Sequence, residues 1–168
     1  MSTAPHTVQA VIIMGVSGSG KTTLGQALAA QLGWTFADAD DYHPAPNKEK
    51  MARGEALTDA DRQPWLERLH QLLAEHIAAK KPLVLACSAL RQQYRDTLQG
   101  NLAGVALVYA RGSRELIAQR MQRRQHFMPL SLLDSQFATL EPPTGAIEAD
   151  IRQPIAELVP QLVAQLCE

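Results

Sequence analysis

The chain has 168 residues, with 16 Lys and Arg against 17 Asp and Glu and a formal charge of -1. That length suits one domain able to bury a core without disulfide or metal staples, and 46% hydrophobic with 20% charged residues excludes disorder, collagen and coiled coil. The balanced charge lacks the basic footprint of a nucleic-acid binder, and the apolar runs are too short to span a bilayer. Met1 to Gln9 carry no basic-then-apolar leader, so a cytoplasmic protein with neither membrane nor nucleic-acid partner is expected. Cys87 and Cys167 stand far apart and read as incidental thiols.

Short apolar runs alternate with segments of helical period, the pattern of an α/β fold: a parallel sheet flanked by helices in three layers. Val8 to Met14 reads as the first strand and leads into a glycine-rich turn at Gly15. Leu24, Leu28 and Leu32 stripe a helix that Gly33 stops. Trp34 to Ala37 is a second strand ending in Asp38, Asp40 and Asp41, and Pro44 to Gly54 forms a short helix in an excursion from the sheet. Thr58 and Asp61 have capping-box spacing. The helix they open turns Trp65, Leu66, Leu69, Leu72, Leu73 and Ile77 inward, with Pro64 near its start, where a missing N–H is cheap. Leu83 to Cys87 is a buried strand, followed by a helix bearing Leu90, Tyr94 and Leu98 that Gly100 closes. Val105 to Tyr109 is the next strand, and Ser113 caps a helix with Leu116, Ile117 and Met121. Arg120 to Pro129 is basic and poor in apolar anchors, which reads as a flap. Ala146 to Ile151 is the weakest strand, since Ala, Glu and Asp are poor strand formers. An amphipathic helix with Ile155, Leu158, Val159, Leu162, Val163 and Leu166 ends the chain.

Gly15-Val16-Ser17-Gly18-Ser19-Gly20-Lys21-Thr22 satisfies G-x-x-x-x-G-K-[ST], with an apolar strand before it and a helical stripe after it. This is the phosphate-binding loop (P-loop) of nucleoside triphosphate users. Its glycines let the backbone wind around a phosphate, and the helix aims its positive end at the same anion. Lys21 would bridge β- and γ-phosphates of ATP, and the Thr22 hydroxyl would ligate Mg²⁺.

The loop alone does not separate a switch from a kinase. No D-x-x-G occurs in the chain, and Asn47-Lys48-Glu49-Lys50 lacks the Asp of a guanine reader, so a GTPase switch is disfavoured. The strand ending at Cys87-Ser88 carries no acid for a hydrolytic motor. Asp38 or Asp40 is the remaining source, because parallel topology gathers C-terminal strand ends at one edge. Of this pair, alternation in an extended segment would send one carboxylate toward Mg²⁺ and the other toward an acceptor alcohol. The loop-bearing and acid-bearing strand tips are expected to be neighbours. Arg120 and Arg124, one turn apart, are candidates to close over the γ-phosphate and exclude water. A solvated helix end is the alternative for them, as a solvated loop is for the acids.

The run Asp38-Ala39-Asp40-Asp41-Tyr42-His43-Pro44, with Asn47, Lys50-Met51, Gly54, Leu57, Asp59, Asp61-Arg62 and Pro64-Trp65-Leu66, resembles the bacterial gluconokinases. These are the small, thermoresistant-type enzymes of the shikimate-kinase-like P-loop group. Cys87-Ser88-Ala89-Leu90, Tyr94-Arg95-Asp96, Arg124 with His126-Phe127-Met128, Ser135-Gln136-Phe137 and Leu140-Glu141-Pro142 extend the similarity. The resemblance implies a homodimer that uses ATP and Mg²⁺ to phosphorylate the 6-hydroxyl of D-gluconate. It implies Gly15 to Thr22 for the nucleotide, Asp40 for the substrate hydroxyl, and His43, Arg62, Arg95 and His126 as contacts to the sugar acid. By the same analogy Arg152, Gln153 and Pro154 form the adenine-side loop, after a segment past Pro143 that is shorter than the family's. The whole chain, 1–168, then reads as one kinase domain in which about 40–66 bind substrate and about 120–140 form a lid. Arg62 pairing only with Asp59 or Asp61, His43 merely shaping the turn before Pro44, and Trp65 serving as core are the structural alternatives. His6, His70 and His76 read as surface residues. Two other functions stay open: a kinase of shikimate or another sugar acid, and a non-catalytic ATP-sensing regulator.

Overall fold

A computed structural model describes residues 8–123 and 130–167. The order of elements is β1 (Ala10–Met14), α1 (Lys21–Leu32), β2 (Thr35–Asp38), a 3₁₀ turn (Ala39–Tyr42), α2 (Ala45–Ala52), α3 (Asp59–Ala78), β3 (Leu83–Ala86) and α4 (Gln92–Gln99). Then come β4 (Val105–Arg111), α5 (Arg114–Arg123), α6 (Leu130–Thr139), β5 (Ile147–Asp150) and α7 (Ile155–Leu166). The described strands form one parallel sheet in the order β2-β3-β1-β4-β5.

Strands β1 and β3 are fully buried, so alternate residues feed two different cores rather than a core and solvent. Val11, Ile13, Val84 and Val108 face one side, packing on Leu24 and Leu28 of α1, Ile117 and Met121 of α5, and Leu158 and Leu162 of α7. Ala10, Ile12, Met14, Leu83 and Leu85 face the other, against Trp65, Leu66, Leu69 and Leu73 of α3 and Tyr94 and Leu98 of α4. These faces make the three layers that the alternation of elements predicts.

Local signals hold where they are specific. Gly33 closes α1 in the left-handed region at φ 71°, its N–H reaching the Ala29 and Ala30 carbonyls. Thr58 and Asp61 form a reciprocal capping box, despite the shorter acid. Ser113 accepts from the Leu116 N–H at 3.1 Å.

The structure also corrects several expectations. The strands bearing the loop and the acids are not neighbours, because β3 lies between them. Pro64 is the sixth residue of α3, beyond the first turn, and so removes one i→i−4 hydrogen bond from the ladder. His70 is half-buried with Nδ1 2.9 Å from the Leu98 carbonyl oxygen, tying α3 to α4 rather than facing solvent. Leu130–Thr139, read only as part of a lid, is a helix of its own anchored by buried Leu133. Strand β5 forms despite its composition because it is an edge strand, paired on one side only from Val108↔Ile147 to Arg111↔Asp150.

Candidate active site

The site is built at the C-terminal edge of the sheet, where β1, β2 and β3 all end. Past β1, Gly18 and Gly20 take φ 81° and 87°, conformations that L side chains rarely adopt. At Gly18 a Cβ would also stand 2.7 Å from Met121 Cγ, so the glycine is what lets α5 pack onto the loop. Helix α1 starts from Gly20 with no side-chain cap. Its first-turn N–H groups have no carbonyl behind them, which leaves a concentration of donors suited to an anion. The buried Ser19 hydroxyl has no partner among the described residues. Gly18, Gly20, Lys21, Thr22 and Thr23 line a cleft of about 170 Å³ with Arg120 and Met121.

Past β2, Asp38 accepts from the Asp40 N–H at 2.9 Å, which starts the 3₁₀ turn and swings the two carboxylates apart. The divergence expected of the pair is present, but a tight turn produces it rather than an extended strand. Asp38 Oδ2 accepts from the Thr22 hydroxyl at 3.2 Å. Asp40 instead lines a second cavity of about 310 Å³, shared with Ser17, Lys21, His43, Arg62, Trp65, Ser88 and Gln136. Loss of solvation raises the Asp40 pKa above the usual carboxylate range; Asp38 adds to the rise and Lys21 opposes it. Burial lowers the Lys21 pKa against the attraction of Asp40, Cys87 and Asp38.

Around this cavity the excursion α2–α3 supplies the polar wall. His43 stacks on Trp65 with ring centroids 4.1 Å apart, while the Trp65 indole N–H donates to the Ala39 carbonyl at 2.7 Å. Trp65 is thus both core and cavity wall. Asn47 Nδ2 lies 3.3 Å from His43 Nδ1 and donates to the Asp61 carbonyl at 2.8 Å. Since the amide nitrogen can only donate, Nδ1 accepts and the imidazole hydrogen sits on Nε2. Burial, with Arg62 and Lys48 nearby, lowers the His43 pKa to about 4, so the ring is neutral at physiological pH.

Arg62 donates to the Leu57 carbonyl at 3.0 Å and to the Tyr94 hydroxyl at 2.9 Å, and its guanidinium lies over the Tyr94 ring. Asp59 stands 3.8 Å away, while Asp61 pairs with Lys50 at 2.6 Å. Arg62 thus pairs loosely with Asp59, as one structural alternative expects, and also lines the cavity of Asp40.

Arg95 is placed differently from expectation. It is only 3% exposed and does not border the cavity of Asp40. Its guanidinium donates to the Ala89 carbonyl at 2.6 Å and the Glu141 carbonyl at 2.8 Å, holding Ala89 in its left-handed conformation at φ 46°. With a further bond to the Gln92 side chain at 3.3 Å, Arg95 braces the chain after β3 and does not line the cavity of Asp40. Arg120 borders the phosphate-side cleft, but its guanidinium donates to the Ile151 carbonyl. Gln153 accepts from Gln161 at 2.8 Å, and Pro154 precedes the first turn of α7. Arg124 and His126 lie outside the described residues.

Several polar cavity residues received no role from the sequence, among them Glu55, Ser88, Ser135, Gln136 and Thr139. Ser88 follows β3, and Gln136 on α6 contacts Ser17 from 119 positions away. Both stand in runs that carry the resemblance, but only the packing of α6 on the phosphate loop shows what Gln136 contacts. Among the described residues no three His, Cys, Asp or Glu side chains gather to hold a metal, and no helix is long and apolar enough to cross a membrane.

Known proteins resemble the chain over most of its length. Residues 11–143 match the family model described as an AAA domain. The gluconokinase of Gluconobacter oxydans strain 621H is 50% identical over 134 residues, 79% of this chain and 75% of that one. The probable gluconokinase of Xenopus tropicalis is 44% identical over 175 residues, 93% and 92% of the two chains. A crystal structure of a gluconokinase from Sinorhizobium meliloti 1021 superimposes with a TM-score of 0.87 at 42% identity, covering 96% of this chain and 93% of that one. With its phosphate loop, its acid after β2 and its braced excursion, the chain belongs to the gluconokinase family of P-loop kinases.

Proposed function

We propose that the chain transfers the γ-phosphoryl group of ATP to the 6-hydroxyl of D-gluconate, giving 6-phospho-D-gluconate and ADP. The observation that carries this reading is one cavity lined by both Lys21 and Asp40, which Arg62 and His43 also line. A phosphate-handling cation and a carboxylate of raised pKa border one space, as an alcohol acceptor requires.

In the reaction the bond from the γ-phosphorus to its bridging oxygen breaks, and a bond to the acceptor oxygen forms. Asp40 accepts a hydrogen bond from the acceptor hydroxyl, orients it, and takes its proton late, because the transition state is loose. A raised pKa makes Asp40 a better acceptor for that proton. Lys21 and the first-turn N–H groups of α1 hold the phosphates and neutralise charge on the leaving side. Arg62 offers a planar fork for the gluconate carboxylate, and neutral His43 offers Nε2–H to a hydroxyl.

Thr22 and Asp38 fit Mg²⁺: a hydroxyl and a carboxylate within 3.2 Å are hard oxygen donors. A site short of ligands also suits an ion that completes its shell with phosphate oxygens and water. When bound, the ion supplies charge neutralisation on the phosphates. Gln153 and Pro154 stand for the adenine side, Arg124 for the lid and His126 for a contact to the sugar acid, on the strength of the resemblance. A homodimer and a cytoplasmic setting rest on the same ground.

A coupled ADP-release assay tests the reading across gluconate, shikimate, other sugar acids and no acceptor. Gluconate is expected to give the highest kcat/KM. Turnover with gluconate no higher than without an acceptor would exclude it, and turnover confined to shikimate would transfer the assignment to that acceptor. ATP binding without turnover on any acceptor would favour a sensor.

A further inference from the structure

Gln136 reaches the phosphate loop from α6. Its Oε1 accepts from the Ser17 N–H at 2.7 Å and its Nε2 donates to the Ser17 hydroxyl at 3.1 Å. The backbone N–H can only donate, so the amide orientation is fixed: reversing it would set two donors face to face. The same helix contributes Leu132, Ser135 and Thr139 to the cavity that holds Asp40. The amide therefore stands at the junction between the phosphate loop and the space for the acceptor.

Its position is held from both sides. Arg114 of α5 forks onto Asp134 at 2.6 and 3.3 Å, two residues before Gln136. Past the helix, the Glu141 N–H donates to the Leu90 carbonyl at 2.7 Å, and the Glu141 carboxylate accepts from the Gln92 N–H at 2.7 Å. Arg95 holds the Glu141 carbonyl. A side chain fixed this well, and yet not required by the loop motif itself, has another task. One amide hydrogen is used on Ser17, which leaves the second and a lone pair of Oε1 for an acceptor hydroxyl.

Resting on the reading of the site given above, we propose that Gln136 is a positioning residue that couples occupancy of the acceptor cavity to the phosphate loop. An acceptor hydroxyl bonded to the amide is held beside Ser17 and the transferring phosphoryl group. An empty cavity leaves the amide on Ser17 alone, with no ordered nucleophile. Gln136 in this way favours transfer to the alcohol over transfer to water.

The test measures two rates in each preparation, with saturating ATP and Mg²⁺: 6-phosphogluconate formation, and ADP release without acceptor. Wild type, Gln136→Ala and Gln136→Glu are compared, with thermal melts to confirm folding. For Gln136→Ala the KM for gluconate is expected to rise at least tenfold and the ratio of hydrolysis to transfer at least tenfold, with the KM for ATP changed less than threefold. Gln136→Glu keeps an acceptor for the Ser17 N–H but loses both donors, and is expected to shift the ratio in the same direction. A Gln136→Ala enzyme with gluconate KM and ratio within twofold of wild type would overturn the proposal. A fall in kcat with the ratio unchanged would also overturn it, marking the contact as structural only. Wild type that fails to phosphorylate gluconate would defeat the reading of the site and this proposal together; wild-type transfer beside an unshifted variant would defeat the proposal alone.

Discussion

His43 lies face to face on Trp65, with ring planes only 14° apart and the imidazole 7% exposed. Such a seat suits a neutral ring and penalises a charged one, which is why the His43 pKa falls from 6.5 to about 4. Because the folded value is the lower, the unfolded chain binds more protons between those two pH values. Stability from this residue is complete above about pH 6.5 and declines as pH falls toward about 4. Thermal melts at pH 7.5 and pH 5 check this. Wild type is expected to lose more Tm on acidification than His43→Gln; equal losses would remove His43 as a cause.

Asp40→Asn removes the proton acceptor while leaving the shape of the turn. Turnover with gluconate is expected to fall by about 10²- to 10⁴-fold, the range of a lost general base. ATP affinity, measured by titration calorimetry, is expected to stay within about twofold, since phosphates are held by the loop.

Thr22→Val removes the hydroxyl at the start of α1, and Asp38→Asn removes the carboxylate charge at the end of β2 that it faces. The Mg²⁺ concentration for half-maximal turnover is expected to rise by about tenfold or more. Addition of a chelator to wild type should abolish turnover, and excess Mg²⁺ should restore it.

Arg62→Lys keeps the charge but loses the planar fork and the bond pattern to Leu57 and Tyr94. The expected result is a gluconate KM about tenfold higher with kcat changed less than about threefold. An acceptor of the same length without a carboxylate should show no such difference between the two enzymes.

Arg95→Met tests the brace. Truncation leaves the Ala89 and Glu141 carbonyls without their buried donor, at a cost of about 2–4 kcal/mol. Urea unfolding should report that loss. A raised gluconate KM with unchanged stability would return Arg95 to the acceptor.

The contrast between Arg95 and the phosphate loop shows what was legible in the sequence. Gly15 to Thr22, the Thr58–Asp61 box and the stop at Gly33 depend on residues within a few positions of one another, so their patterns announce them. Arg95 sits in a run of family-like residues, which suggested a ligand, but one of its partners is a main-chain carbonyl 46 positions away. A carbonyl leaves no mark in composition. Gln136 also stands in a family-like run, but its partner Ser17 is 119 positions away and was already explained by the loop motif. Strand β5 was nearly missed because an edge strand with an exposed side need not be apolar. The neighbouring strand tips were wrong because chain order does not dictate which strand is inserted between two others.

That inserted strand has a consequence of its own. Adjacent strands stand about 4.8 Å apart, so interposing β3 sets the backbones of β1 and β2 about 10 Å from each other. The gap works as a caliper: side by side, those two backbones would press the acid against the triphosphate and leave no berth for a six-carbon guest. Strand order in the sheet thus sets the separation of the two backbones, while side chains of α2, α3 and α6 line the space between.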